Sequence, residues 1–187
     1  MPNIIAAFNL TVDGFCDHTA INPDKEIHEH YRVLLGQAGI ILYGRTTYEL
    51  MEFWRTLVEN PSGEKSMDEF ALAMDKVPKL VFSNTLKKLD WHSAILANKS
   101  LKESVLELKR AQTYGEKDIL VGCRSLIIQL LNLNLIDELQ LCIHPVVVGK
   151  GLPLFDQIDD RKEFKLLKTK IFSSGAVLHY YEPSTEK

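Results

Sequence analysis

Four short stretches of this 187-residue chain hold the residue types that bind phosphate or move protons. They are Thr11-Val12-Asp13-Gly14, Gly44-Arg45-Thr46-Thr47, Ser83-Asn84-Thr85 and Gly122-Cys123-Arg124-Ser125. Each follows an apolar run of strand character, so each falls where ligands bind in open α/β sheets, beyond the carboxyl ends of the strands. The second and fourth open directly into helical patterns. A glycine there lets backbone approach a ligand, and the free N–H groups of a helix start bind phosphate oxygens. Arg45 and Arg124 add permanent charge with forked donors suited to phosphate. Together these stretches read as a site for a ligand with several phosphates.

Each feature also has a plainer use. Gly44 and Gly122 serve equally as tight strand-to-helix turns, Thr46 and Ser125 as helix caps, and Asp13 as a turn residue. Cys123 reads as a small packing residue, since no paired histidine is evident. Repetition at successive strand ends favours the binding role. There is no Walker loop, G-x-G-x-x-G or G-x-S-x-G sequence. The histidines are scattered, and His28 and His30 lie two apart, the wrong spacing for one helical face, so no metal site is expected.

The elements that must position these stretches alternate between strand and helix patterns from end to end, which favours one α/β domain over residues 1–187. Strands are expected at Asn3 to Leu10, Ile40 to Tyr43, Lys79 to Phe82, Ala94 to Leu96, Asp118 to Val121 and Glu138 to Val148. Two more, near 164–171 and 176–182, are joined at Ser173-Ser174-Gly175 as a hairpin. The sheet is therefore expected to be parallel early and antiparallel at its end. A helix is expected to start with Asn22 as cap and Pro23 at its first position, with Asp24 and Glu26 complementing the helix dipole. Ser66 to Glu69 and Ser100 to Glu103 have the form of capping boxes.

Composition narrows the function classes. With 22 Lys+Arg against 25 Asp+Glu, the net charge of −3 argues against a nucleic-acid binder with a broad basic face. No apolar run reaches the roughly 18 residues of a membrane helix, so no membrane partner is expected. The amino-terminal segment lacks a basic region followed by an apolar core. With three cysteines and no CxxC pair, a reducing, cytoplasmic setting is the simplest expectation.

A longer ordered set of segments carries a family resemblance. It comprises Ile4-Ile5-Ala6-Ala7 with Thr11-Val12-Asp13-Gly14, and Ile41-Leu42-Tyr43-Gly44-Arg45-Thr46-Thr47-Tyr48-Glu49. It continues through Leu80-Val81-Phe82-Ser83-Asn84-Thr85-Leu86, Ile119-Leu120-Val121-Gly122 and Leu135-Ile136-Asp137-Glu138-Leu139. It ends with Pro145-Val146-Val147-Val148-Gly149-Lys150-Gly151-Leu152-Pro153-Leu154-Phe155. The set resembles the dihydrofolate reductase superfamily and, within it, the C-terminal reductase domain of the bifunctional riboflavin-biosynthesis deaminase–reductase.

The resemblance implies a three-layer α/β fold, with a mostly parallel central sheet of eight strands and an antiparallel C-terminal strand. It implies NADPH lying across the strand ends and a small heterocyclic, pterin-like or riboflavin-precursor substrate. By position, Ala7 would meet the nicotinamide; Gly44, Arg45, Thr46 and Thr47 would hold phosphates near the adenosine half. Ser83 and Asn84 would line the adenine-ribose side, and Gly122, Cys123, Arg124, Ser125 and Leu126 would meet the pyrophosphate. Asp13 is the first candidate for orienting substrate or proton transfer, with Asp24 and Glu26 behind it. A homodimer formed through the last part of the chain is also implied.

The sequence departs from the family at two points. Cys123 stands where a second adjacent glycine is usual, a costly exchange only if the backbone needs positive φ. Phe15 stands where the riboflavin reductases usually carry a lysine. These departures motivate an alternative, a nucleotide-binding regulatory protein that keeps the pocket without turnover.

Overall fold

The computed structural model describes residues 1–111 and 113–184. One eight-stranded sheet organises them. Its strands, in chain order, are β1 (Ile4–Thr11), β2 (Ala38–Gly44), β3 (Lys79–Phe82), β4 (Ala94–Leu96), β5 (Asp118–Val121), β6 (Glu138–His144), β7 (Phe164–Ile171) and β8 (Val177–Pro183). The helices are α1 (Lys25–Gln37), α2 (Arg45–Glu59), α3 (Lys65–Lys76), α4 (Leu101–Ala111) and α5 (Arg124–Asn132).

Across the sheet the order is β4-β3-β2-β5-β1-β6-β8-β7. The first six of these strands are mutually parallel, and β8 runs antiparallel to both of its neighbours. This is the mostly parallel α/β sheet with an antiparallel end that the sequence pattern implies. Strand β5 returns to the gap between β2 and β1, so the ends of β1, β2 and β5 converge. The order in which successive strands join the sheet reverses there, which is where a crevice opens in sheets of this kind.

Apolar content explains which strands lie centrally. All seven residues of β2 are buried, so helices cover both of its faces. Strand β7 carries Lys165, Lys168 and Lys170 and is exposed along most of its length, as suits an edge. Helix α1 buries Ile27, Leu34 and Leu35. Ile27 joins Leu178, Tyr180 and Phe172 in a satellite cluster over β8, separate from the main core.

Several boundaries differ from the sequence reading, each for a local reason. Helix α1 is capped by Asp24, whose carboxylate accepts from the Ile27 N–H at 2.9 Å, so Asn22 and Pro23 precede it. Ser66 lies inside α3, its hydroxyl donating to Glu64, and opens no capping box. Ser100 and Glu103 do form one, with reciprocal bonds of 3.3 and 3.2 Å. Strand β6 stops at His144 because Pro145 has no N–H for the ladder, and residues 145–156 form a long loop instead.

Candidate functional site

Two helix starts meet at the convergence of β2 and β5. Gly44 is the N-cap of α2 and Cys123 that of α5, and neither helix has a side-chain cap bond. Thr46 and Ser125 therefore do not serve as caps. The contrast is α1, whose first turn is closed by Asp24. The two starts are close: a Cβ on Gly44 would stand 3.1 Å from Cys123 Sγ and 3.4 Å from Ser125 Oγ. Only glycine leaves that space open. The first-turn N–H groups of α2 and α5, which no N-cap side chain satisfies, therefore belong to two helix starts, each a positive dipole end, brought close together. Cys123 has φ −131°, ordinary extended backbone, so cysteine in place of glycine costs nothing conformationally.

The arginines have different fates. Arg45 is exposed at the start of α2 and makes no ion pair among the described residues. Arg124 is committed elsewhere: its Nε donates to the Pro153 carbonyl at 2.6 Å, and its guanidinium pairs with Asp156. Its backbone, not its side chain, remains for an anion. Ser83 is similarly occupied, its Oγ accepting from the Leu86 and Thr85 N–H groups at 3.0 and 3.2 Å, while Asn84 is exposed. Leu126 is buried and its N–H bonds the Cys123 carbonyl at 3.1 Å, closing the first turn.

Next to this gap lies a cavity of about 320 Å³, floored by Ala7, Ile41, Tyr43, Val121 and Gly122 and roofed by α1, α2 and α3. Its walls are mainly apolar and aromatic, with Tyr31, Trp54 and Phe70 among them, and the polar exceptions are Asn9, Asp17, His18 and His28. Ala7 and Gly122 thus face both the cavity and the strand ends that lead to the helix starts. This is the concave, mostly apolar shape with few polar groups that small-molecule sites take.

The three candidate carboxylates lie outside that cavity. Asp13 accepts from the Thr11 hydroxyl at 2.6 Å and from the Gly149 and Val148 N–H groups at 2.7 and 3.1 Å. The Thr11 hydroxyl above all holds its pKa below the usual carboxylate value. Burial pushes Asp24 upward, but N–H bonds and the Ser174 hydroxyl outweigh this and lower it. The Ser173 N–H lowers Glu26, which it meets at 2.7 Å across to the β7–β8 hairpin. All three are ionised at neutral pH and bonded to structural donors. Two of them tie loops down and one caps a helix.

Loop stitching is the real work of the Asp13 segment. The Val12 and Cys16 N–H groups donate to the Val146 and Leu152 carbonyls at 2.9 Å each. The Leu152 N–H donates to Asp17 at 2.6 Å. Gly151, at φ +154°, would place a Cβ against that same carboxylate, so no other residue fits. Arg124 then anchors this pair of loops to α5. The wall of the cavity and the helix start beside it are thereby one connected structure.

The residues that sequence reasoning missed are those projecting into the cavity. His28 packs beside the touching pair Trp54 and Phe70, at ring-centroid distances of 5.7 and 5.8 Å. Burial lowers its pKa, so its imidazole is neutral near pH 7. Asn9 Oδ1 accepts from His144 Nε2 at 2.9 Å and from the Tyr31 hydroxyl at 3.3 Å, which requires the Nε2-protonated tautomer of His144. Trp54 was legible as an apolar residue of α2, but its sequence neighbours cannot say that it lines a cavity.

Among the described residues no cluster of acids, histidines and cysteines could hold a metal ion, and no helix is long and apolar enough to cross a membrane. The three cysteines are free and buried.

Comparison with known proteins places the chain. It is 37% identical over 185 residues to the uncharacterized protein YyaP of Bacillus subtilis, covering 95% of this chain and 93% of that one. The fold matches a putative riboflavin biosynthesis protein from Shewanella sp. PV-4 with a TM-score of 0.72 at 19% identity, over 98% of this chain and 99% of that one. It also matches a pyrimidine reductase-like protein from Corynebacterium diphtheriae, with a TM-score of 0.66 at 16% identity, covering 99% and 93% of the two chains. RibD of Acinetobacter baumannii gives a TM-score of 0.68 at 13% identity, with 99% of this chain spanning 59% of that one. The model of the RibD C-terminal domain matches residues 2–178, and the chain belongs to that family.

Proposed function

We propose that this protein is an NADPH-dependent reductase of a small heterocyclic substrate, either pterin-like or resembling the phosphoribosylamino-uracil of riboflavin synthesis. Family membership supports a reductase with a nicotinamide cofactor. The observation that carries the reading is the pair of uncapped helix starts meeting at Gly44, one of them next in the chain to Gly122, which lines the cavity along with Ala7. The residues present fit such a group: a Cβ at Gly44 would fill the gap, and the surrounding N–H groups suit phosphate oxygens.

In this reading, the backbone of Thr46, Thr47, Arg124 and Ser125 holds the phosphates, and exposed Arg45 selects NADPH over NADH through the additional phosphate. Ala7 lies under the nicotinamide, and Ser83 and Asn84 flank the adenosine half. When bound, the cofactor would supply a hydride to a C=N or C=O carbon and leave oxidised, while the nitrogen or oxygen would take its proton from water. Asp13 holds the loops that shape the wall rather than delivering that proton. The expected result is stoichiometric NADPH oxidation with one of the two substrate classes. Absence of turnover with both, despite NADPH binding by calorimetry, sinks the reductase assignment.

That second outcome would support a regulatory nucleotide-binding protein, a reading favoured by the location of all three candidate carboxylates outside the cavity. We further propose that the protein works in the cytoplasm, in keeping with three free thiols, and on a small molecule rather than nucleic acid or membrane. A homodimer through β7 and β8 completes the proposal.

A further inference from the structure

We propose that the cavity beneath α1, α2 and α3 takes an uncharged, planar, largely apolar ring compound without a phosphate group, and that His28 supplies the hydrogen bond that fixes it. That such a ring is then reduced rests on the reading above; its binding does not. Of the two substrate classes considered there, this excludes the phosphorylated one and narrows the other to rings less polar than pterin itself.

The wall chemistry makes the case. At about 320 Å³ the cavity is at the small end of ligand sites. No lysine or arginine lines it, and its one carboxylate, Asp17, would repel an anion. A phosphate drawn into such a site would lose its hydration without gaining a cation, a cost no apolar contact offsets. The anion-binding features nearby are the two helix starts at Gly44 and Cys123, and these serve the cofactor.

Shape points to a flat ring. Trp54 and Phe70 stand edge to face at 4.5 Å, and Tyr31 and Tyr43 add further ring surface. The polar atoms of the wall are largely taken: the Tyr43 hydroxyl meets Met74 sulfur at 3.3 Å, Asn9 Oδ1 already accepts two bonds, and Asp17 holds the Leu152 N–H. His18 is exposed at the rim. Two groups remain unspent among the described residues: the Asn9 side-chain NH2, and His28, whose ring meets aromatic faces and no hydrogen-bonding partner. As a neutral imidazole it offers one N–H and one lone pair. An apolar ring bearing a single ring nitrogen or carbonyl answers that pattern.

Calorimetric titration of the whole protein with quinoline, quinoline-2-carboxylate, naphthalene and uridine 5′-monophosphate tests this. Quinoline is expected to bind, with the carboxylate and the nucleotide at least about tenfold weaker. Equal or tighter binding of either anion overturns the selectivity, and absence of heat with quinoline and naphthalene overturns the site. His28→Phe keeps the ring packing and removes the hydrogen bond. It is expected to weaken quinoline about tenfold and leave naphthalene unchanged. His28→Gln, which keeps a donor, is expected to restore part of the loss. A parallel fall for quinoline and naphthalene would reduce His28 to packing and overturn its role. The wild-type series stands without any variant folding. NADPH binding, measured separately, distinguishes the two readings: quinoline bound without NADPH affinity sinks the reductase and keeps the cavity, and the converse pattern does the reverse.

Discussion

Lys79 shows how one side chain can hold a strand start in place. It is fully buried at the first position of β3, and burial pulls its pKa down to about 7. Its Nζ nevertheless donates to the Met74 carbonyl, the Val77 carbonyl and the Ser93 hydroxyl at 2.5, 2.9 and 2.8 Å, and lies 3.8 Å from the Trp91 ring. Three acceptors from two segments, the end of α3 and the loop at Ser93, are satisfied by one ammonium. Lys79→Met keeps the volume and strands those acceptors, so a loss of about 3 kcal/mol is expected in urea unfolding. A change under about 1 kcal/mol would show that water replaces the ammonium.

His30 acts through pH. Burial and then the positive charge of Lys170 lower its pKa to about 4, with Lys168 adding to this, while Glu138 and Gln140 stand on the neighbouring strand. Its Nε2 is buried and has no partner. Since the unfolded histidine titrates near 6.5, the unfolded state takes up a proton first as pH falls. Stability is therefore whole above about 6.5 and is lost progressively down to about 4. His30→Phe should remove on the order of 2 kcal/mol of that loss between pH 7 and 4.5. Parallel stability–pH curves for wild type and variant would contradict it.

At the scale of elements, the crossing of α2 and α5 at their starts is the decisive arrangement. Gly44 has φ −85°, so a larger residue meets no backbone strain, only Cys123 and Ser125. Gly44→Val is therefore expected to weaken NADPH binding by tenfold or more, about 1.4 kcal/mol, while thermal unfolding shifts only modestly. Unchanged affinity in the variant would remove the helix-start gap from the cofactor proposal. The sequence displayed this site clearly because glycine followed by a helical pattern is a local signal. The carboxylates Asp13, Asp24 and Glu26 were legible by type alone, because their bonds to Gly149, Ile27 and Ser173 depend on chain pairings the sequence does not announce.

For the whole molecule, the open question is what covers β7 and β8. Leu178 and Tyr180 are buried beside Ile27 of α1, whereas Val177, His179 and Tyr181 point to the other face and are only half buried. Their partners on β7 include Ile171 and Leu166, which are 74% and 49% exposed. Phe155, also exposed, lies beside Tyr181. A second copy of the chain is the proposed cover. Light scattering at micromolar concentration is expected to give twice the chain mass, and Ile171→Glu to give the monomer. A monomeric wild type would refute the dimer without touching the cofactor site.

Local chemistry settled much of this protein in advance. Apolar runs gave the strands, the Ser100–Glu103 pair gave a helix start, and glycines at the ends of β2 and β5 marked the strand-to-helix turns. These signals lie within a few residues of one another, so no folding is needed to read them. Tertiary structure alone decided the rest. It spent the Arg124 guanidinium on Asp156, turned the acids into loop ties, and assembled a cavity from His28, Trp54 and Phe70. Those outcomes depend on which side chains from distant segments come within bonding distance, and hydrogen bonds and ring contacts act over a few ångströms of space rather than of sequence.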